Sequence, residues 1–110
     1  MNTFKLAETL YPNKIWQSHH LGTIDDQLTF RATKNGHCYF NMRSNEVFGL
    51  MVRWLMEHGD LSIKGCRYDG YTVTCTESED FEVKCIAQEL CFALALTVLE
   101  VLDDSARLGL

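Results

Sequence analysis

Between Val47 and His58 the apolar side chains Val47, Leu50, Met51, Trp54, Leu55 and His58 recur three and four residues apart and form one continuous stripe. Ser44 or Asn45 offers an N-capping oxygen, and Gly59 sits where a helix commonly stops, so a helix is predicted over 45–58. The period then drops to two. Leu61-Ser62-Ile63-Lys64 opens a strand over 61–66, and Asp69-Gly70 tolerates the positive φ angles of a tight turn. Tyr71-Thr72-Val73-Thr74-Cys75 alternates aromatic and branched residues with polar ones and predicts the partner strand over 71–75. From Ile86 the spacing is helical again, without Gly or Pro, and predicts a final helix over 86–105.

That helix carries two apolar stripes. Ile86, Leu90, Leu94, Val98, Val101 and Leu102 make one, and Phe92, Leu96 and Leu99 make another, rotated away. A helix apolar on most of its circumference is covered on more than one side. Two covers are open for Phe92, Leu96 and Leu99: residues 13–38, or a second subunit in a homodimer.

The N-terminal part is less regular. Phe4, Ala7, Leu10 and Tyr11 have helical spacing, and Pro12 ends that helix because the residue before a proline is pushed out of helical angles. Residues 13–38 show no clean period; a short strand at Gln27–Ala32 and a turn at Lys34-Asn35-Gly36 are the readable pieces. The expected fold is α+β. A small antiparallel sheet packs against two main helices, with a three-layer α/β/α sandwich as a variant. A single domain over 1–110 is expected, its helix-hairpin-helix core in 41–110 and a helix plus irregular region in 1–40.

Charge adds an asymmetry. The net charge of −5 divides into five basic against three acidic groups in residues 1–44 and five against twelve in residues 45–110. An acidic C-terminal part disfavours direct nucleic-acid binding, which needs clustered Lys and Arg, and suits a basic protein partner or plain solubility. No apolar run reaches the ~18 residues of a membrane span. Residues 1–8 lack the basic head and apolar body of a signal peptide. Cys38, Cys66, Cys75, Cys85 and Cys91 are odd in number and unpaired in spacing, as in a reducing compartment. A cytoplasmic location follows as the expectation.

Candidate chemistry is sparse. His19-His20 with His37-Cys38 is the one grouping resembling metal ligands, but adjacent histidines in extended chain point to opposite sides, and no Cys-x-x-Cys or His-x-x-x-His accompanies them. They read as loop histidines, with no metal and no cofactor expected. No cysteine or serine sits in a Gly-framed elbow, and no phosphate-binding glycine loop occurs, so no catalytic residues are assigned and no enzyme is expected. A small-ligand, metal-binding or minor enzymatic role for a Cys/His pocket stays the alternative. Glu77, Glu79, Asp80 and Glu82 place four carboxylates in what reads as a loop between hairpin and helix. They are either a solvated loop or a binding site for a basic partner.

Phe40-Asn41-Met42-Arg43-Ser44-Asn45 leading into the 47–58 helix, and Leu61-Ser62-Ile63 opening the hairpin, give a recognisable order. With Ala87-Gln88-Glu89-Leu90-Cys91-Phe92-Ala93-Leu94-Ala95 in the final helix, the arrangement from Asn41 to Leu102 resembles the phage ABA-sandwich domain family. Residues 4–11 are similar to its leading helix. The family offers no agreed catalytic residues to carry over. The resemblance implies a virus-encoded accessory protein in a bacterial host, where small acidic phage proteins often bind host proteins, defence complexes included. The expected function is therefore binding and modulation of a host protein, with counter-defence inhibition such as anti-CRISPR as the sharpest form. A structural homo-oligomer is the further alternative.

Overall fold

The computed structural model describes residues 1–17, 27–32 and 36–107, with side chains over 1–16 and 40–104. In chain order these form α1 (Thr3–Leu10), β1 (Ile15–Gln17), β2 (Gln27–Ala32), β3 (Gly36–Asn41), α2 (Asn45–His58), β4 (Asp60–Cys66), β5 (Gly70–Ser78), β6 (Phe81–Ala87) and α3 (Leu90–Arg107). The strands make two antiparallel sheets, β1-β2-β3 and β4-β5-β6, each joining strands in sequence order. The class is α+β.

Local chemistry explains the helix boundaries. Asn2 Oδ1 accepts from Lys5 N at 3.0 Å and Ser44 Oγ from Val47 N at 3.2 Å, so the starts of α1 and α2 each have a side-chain acceptor for an otherwise orphan amide. At the end of α2, Gly59 N donates to Leu55 O at 3.0 Å. A Cβ on Gly59 would lie 2.6 Å from Thr76 O, so only glycine lets the helix end press against β5. Gly70 turns the β4–β5 hairpin with φ of 84°, as the Asp69-Gly70 pair predicts.

The second sheet has one buried and one open face. In register across β4, β5 and β6 stand Leu61, Cys75 and Val83, then Ile63, Val73 and Cys85. This is the helix side: α2 lies over β4 and β5, and α3 over β5 and β6. The rows between them, Asp60–Thr76–Glu82 and Ser62–Thr74–Lys84, form a polar outer face. Both main helices share one side of this sheet, so sheet and helix pair make two layers there, not helices on opposite faces.

The core is built on α3. Ala93, Leu94, Ala95, Thr97, Val98 and Val101 are fully buried, and the Thr97 hydroxyl is satisfied by donating to Ala93 O at 2.7 Å. Val47, Met51 and Leu55 of α2 and Leu6 and Ala7 of α1 complete the same cluster, while His58, read as part of the α2 stripe, is exposed. Its ring stacks on Trp54 with centroids 3.7 Å apart. The first sheet joins through aromatic rings. Trp16 of β1 and Phe40 of β3 lie 5.5 Å apart, and Tyr11 meets them at 5.6 and 6.3 Å, all edge to face.

Two expectations need correcting. Residues 13–38 were expected to be largely irregular, but β1 and β3 flank the predicted strand, whose bounds of Gln27–Ala32 are reproduced by β2. Lys34 and Asn35 of the expected turn lie outside the described residues. The final helix starts at Leu90, not at 86, because residues 81–87 form β6. Ile86 is thus an outer-face strand residue, 58% exposed, and drops out of the first helical stripe.

Leu94→Ala should lower unfolding stability by ~2–5 kcal/mol, the cost of a cavity at a fully buried site. Chemical denaturation would measure it, and a change near zero would mean that α3 packs through a different face. Burial, with the Glu46 carboxylate beside it, pushes the Tyr11 phenol up to about 12. The fold therefore favours the neutral phenol. Its contribution is fully present below the unfolded value of about 10 and lost as pH rises through 12. Ultraviolet titration should show a late-ionising tyrosine that Tyr11→Phe removes, alongside falling stability over that interval. A late end of the titration left unchanged by Tyr11→Phe would be incompatible with the ring cluster.

Candidate protein-binding surface

The four carboxylates singled out in the sequence do not occupy a loop before a helix. Glu77 belongs to β5, Glu79 and Asp80 turn the chain, and Glu82 belongs to β6. Thr76 faces Glu82 and Ser78 faces Phe81, so Glu77 is the extra residue of a bulge at this register shift. The hairpin gathers the carboxylates at one end of the second sheet. Asp60 joins them, since it pairs with Thr76, which in turn pairs with Glu82.

Their surroundings differ. Glu79, Asp80 and Glu82 are exposed, while Glu77 is half-buried and one of its carboxylate oxygens lies out of water without a described hydrogen-bond donor. None of the four makes an ion pair with a described residue. Phe81, 38% exposed, opens β6 between Asp80 and Glu82, on the side of the strand that Val83 shares. Its place there was not foreseen. The signal was available in the alternation Phe81-Glu82-Val83-Lys84-Cys85, which marks β6 and turns Glu82 and Lys84 outward. Three water-exposed carboxylates lack the burial that divides a pair into acid and base, but they are placed to attract a cationic surface.

Phe92, Leu96 and Leu99, the proposed self-association stripe, are half-buried within the single chain. Phe92 and Leu99 pack on the core, and the Arg43 guanidinium sits 4.9 Å above the Phe92 ring while bonding Glu89 at 3.2 Å. Larger exposed apolar side chains lie elsewhere: Met56 is 65% exposed, Ile63 42% and Phe48 37%. Phe48, Val52 and Met56 follow one another at four-residue steps along α2, a stripe separate from the one predicted there.

The thiols divide sharply. Cys66 is exposed at the β4–β5 turn, its Sγ 3.6 Å from Asp69 Oδ2. Cys75 is buried, donates to Leu55 O at 3.6 Å, and has its pKa raised by burial and then by Glu77 and Asp60. Burial also raises the thiols of Cys85 and Cys91. Thiols whose pKa is raised are poor nucleophiles and poor metal ligands, and of these three Cys75 is fully buried and Cys85 and Cys91 half-buried. Among the described residues no three His, Cys, Asp or Glu side chains converge as metal ligands. The side chains of His19, His20, His37 and Cys38 lie outside the described residues. No described helix is long and apolar enough to cross a membrane.

Comparison of the chain with protein-family models, with curated proteins and with solved structures gave no match.

Among Cys66, Cys75, Cys85 and Cys91, a thiol-specific reagent at neutral pH should modify Cys66 first. Buried Cys75 should react only as fast as the fold opens, with half-buried Cys85 and Cys91 in between. Peptide mapping over time checks this, and modification of Cys75 as fast as Cys66 would contradict its burial.

Proposed function

We propose that this chain is a non-enzymatic binding module that modulates another protein by engaging a basic surface with the tip of its β5–β6 hairpin. The observation that supports this best is the exposure of Glu79, Asp80 and Glu82, without ion pairs to described residues, at a hairpin end that also exposes part of Phe81. Such charges accelerate encounter with a cationic partner, and a neighbouring aromatic ring supplies the desolvated anchor that charge alone lacks. The resemblance of the segment from Asn41 to Leu102 to the phage ABA-sandwich domain family suggests the setting. There the chain is a phage-type accessory protein in the bacterial cytoplasm, and its target is a host protein. A basic surface that normally holds nucleic acid is a natural target for such a carboxylate cluster, and a defence complex of the CRISPR kind is the sharpest form of the proposal.

Affinity capture from a bacterial host lysate tests it. The wild type should retain a host protein, and retention should weaken as salt is raised. The triple variant Glu79→Lys, Asp80→Lys, Glu82→Lys, at exposed positions, should reduce capture ~tenfold or more while the far-ultraviolet spectrum stays unchanged. Phe81→Ala should weaken capture with little change in its salt dependence. Equal capture by the triple variant and the wild type would remove the acidic tip from the interface. A stoichiometric copurifying metal or metabolite, with no protein retained, would favour a ligand-binding role instead.

A further inference from the structure

Strand β4 is the free edge of the second sheet: among the described strands it pairs with β5 alone. Its register with β5 runs unbroken from Asp60 to Cys66, with no proline and no bulge, and every side chain from Ser62 to Cys66 is exposed. An edge of that length and regularity is a template for another strand, and proteins normally blunt such edges. The opposite edge differs. On β6 the helix-facing Val83 is buried and Cys85 half-buried, and the strand it pairs with is bulged at Glu77. Beside β4 the helix-facing side is only partly covered: Leu61 is half-buried and packs on the core, whereas Ile63 is exposed. Met56, Gly59, Asp60, Leu61 and Ile63 line an open groove of about 380 Å³ between the end of α2 and the strand.

The order of side chains on β4 says what fits there. Asp60, Ser62 and Lys64 point to the outer face, and Leu61 and Ile63 to the helix side. Read from either end, the run is charge, apolar, small polar, apolar, opposite charge. Placed antiparallel to itself about Ser62, it sets Asp60 opposite Lys64 of the second copy, Leu61 opposite Ile63, and Ser62 opposite its equivalent. Both ends then carry an ion pair, both apolar residues meet an apolar partner, and no like charges face each other. Centring the pairing on Ile63 instead sets Lys64 against Ser62 and Asp60 against Cys66, which leaves the charges without directly opposed partners. Centring it on Leu61 sets Asp60 against Ser62. Side-chain complementarity selects register, so the Ser62-centred arrangement is favoured.

We propose that this chain forms a two-fold symmetric dimer through β4, paired antiparallel with β4 of a second copy about Ser62. The two sheets then become one continuous sheet of strand order β6-β5-β4-β4-β5-β6. A residue that pairs with its own equivalent places the two-fold axis perpendicular to the sheet, so the helices of both copies lie on the same face. The two Met56 side chains flank the seam from that face and cover Leu61 and Ile63. This surface meets the acidic hairpin tip at Asp60 alone and is separate from Glu79, Asp80 and Glu82 and from Phe92, Leu96 and Leu99, and the proposal does not rest on the binding function above.

Light scattering during gel filtration, across a concentration series, reads the result. The wild type should move from monomer to dimer as concentration rises. Asp60→Lys alone sets like charges opposite each other at both ends, and so does Lys64→Asp alone. Each should raise the dimer dissociation constant ~tenfold or more. An equimolar mixture of the two single variants restores both ion pairs and should recover a heterodimer, which misfolded variants could not do. The double variant Asp60→Lys, Lys64→Asp should dimerise as the wild type does. A wild type that stays monomeric at every concentration overturns the proposal, as does a mixture that fails to associate. A dimer unaffected by both single variants but dissolved by Leu96→Glu would place the contact on α3 instead and equally overturn it.

Discussion

Everything in this fold hangs on the burial of α3. Six of its side chains, from Ala93 to Val101, are shut off from water completely, and the helix packs against α1, α2, β5 and β6. The alanines at 93 and 95 hold the helix close to its neighbours, while Leu94, Val98 and Val101 fill the space between the sheet and the other helices. Without α3 the helix-facing side of β5 and β6 would be open, and α2 would have half a surface to lean on. The exposed ion pairs Lys5–Asp103 and Arg43–Glu89, each 3.2 Å long, tie α1 and the loop before α2 to the same helix. At the surface such pairs add little energy but do orient what they join.

Legibility followed periodicity. The α2 stripe was clear because Val47, Met51 and Leu55 are spaced for burial and bounded by Ser44, which caps through its hydroxyl, and Gly59, which ends the helix in extended backbone against β5. The first hairpin was clear because Asp69-Gly70 marks its turn. The segment before α3 was misread for a physical reason: Ile86 sits four residues before Leu90, so it extends a helical pattern as readily as a strand one. The competing period of two, with Val83 and Cys85 inward and Glu82 and Lys84 outward, was masked by the acidic residues just before it. β1 and β3 were missed for another reason. A three-residue strand such as Ile15–Gln17 is too short to express any period, and its Trp16 finds a place only when Phe40, distant in sequence, joins the nearby Tyr11 around it.

The candidate surface was half legible. The carboxylates could be counted in the sequence, but their gathering depends on the bulge at Glu77 and on Asp60 lining up across β5, which are properties of register. Phe81 among them, and Met56 beside the free edge, break the rule that large apolar groups go inside. Residues that do so are visible only once the inside is known. The two faces of the second sheet thus divide labour. The helix side holds the molecule together, and the outer face and edges are left for contact.

The two tryptophans stand in different parts of this architecture. Trp16 is buried in the ring cluster that docks the first sheet, whereas Trp54 lies half-buried on α2 with the His58 ring stacked upon it. Their emission therefore reports on separate events: loss of the ring cluster changes one indole's polarity, and detachment of the α2 end changes the other's neighbour. With one tryptophan at a time replaced by phenylalanine, the chain carries its own gauge of cooperativity, because a single unfolding unit must give both indoles the same melting curve.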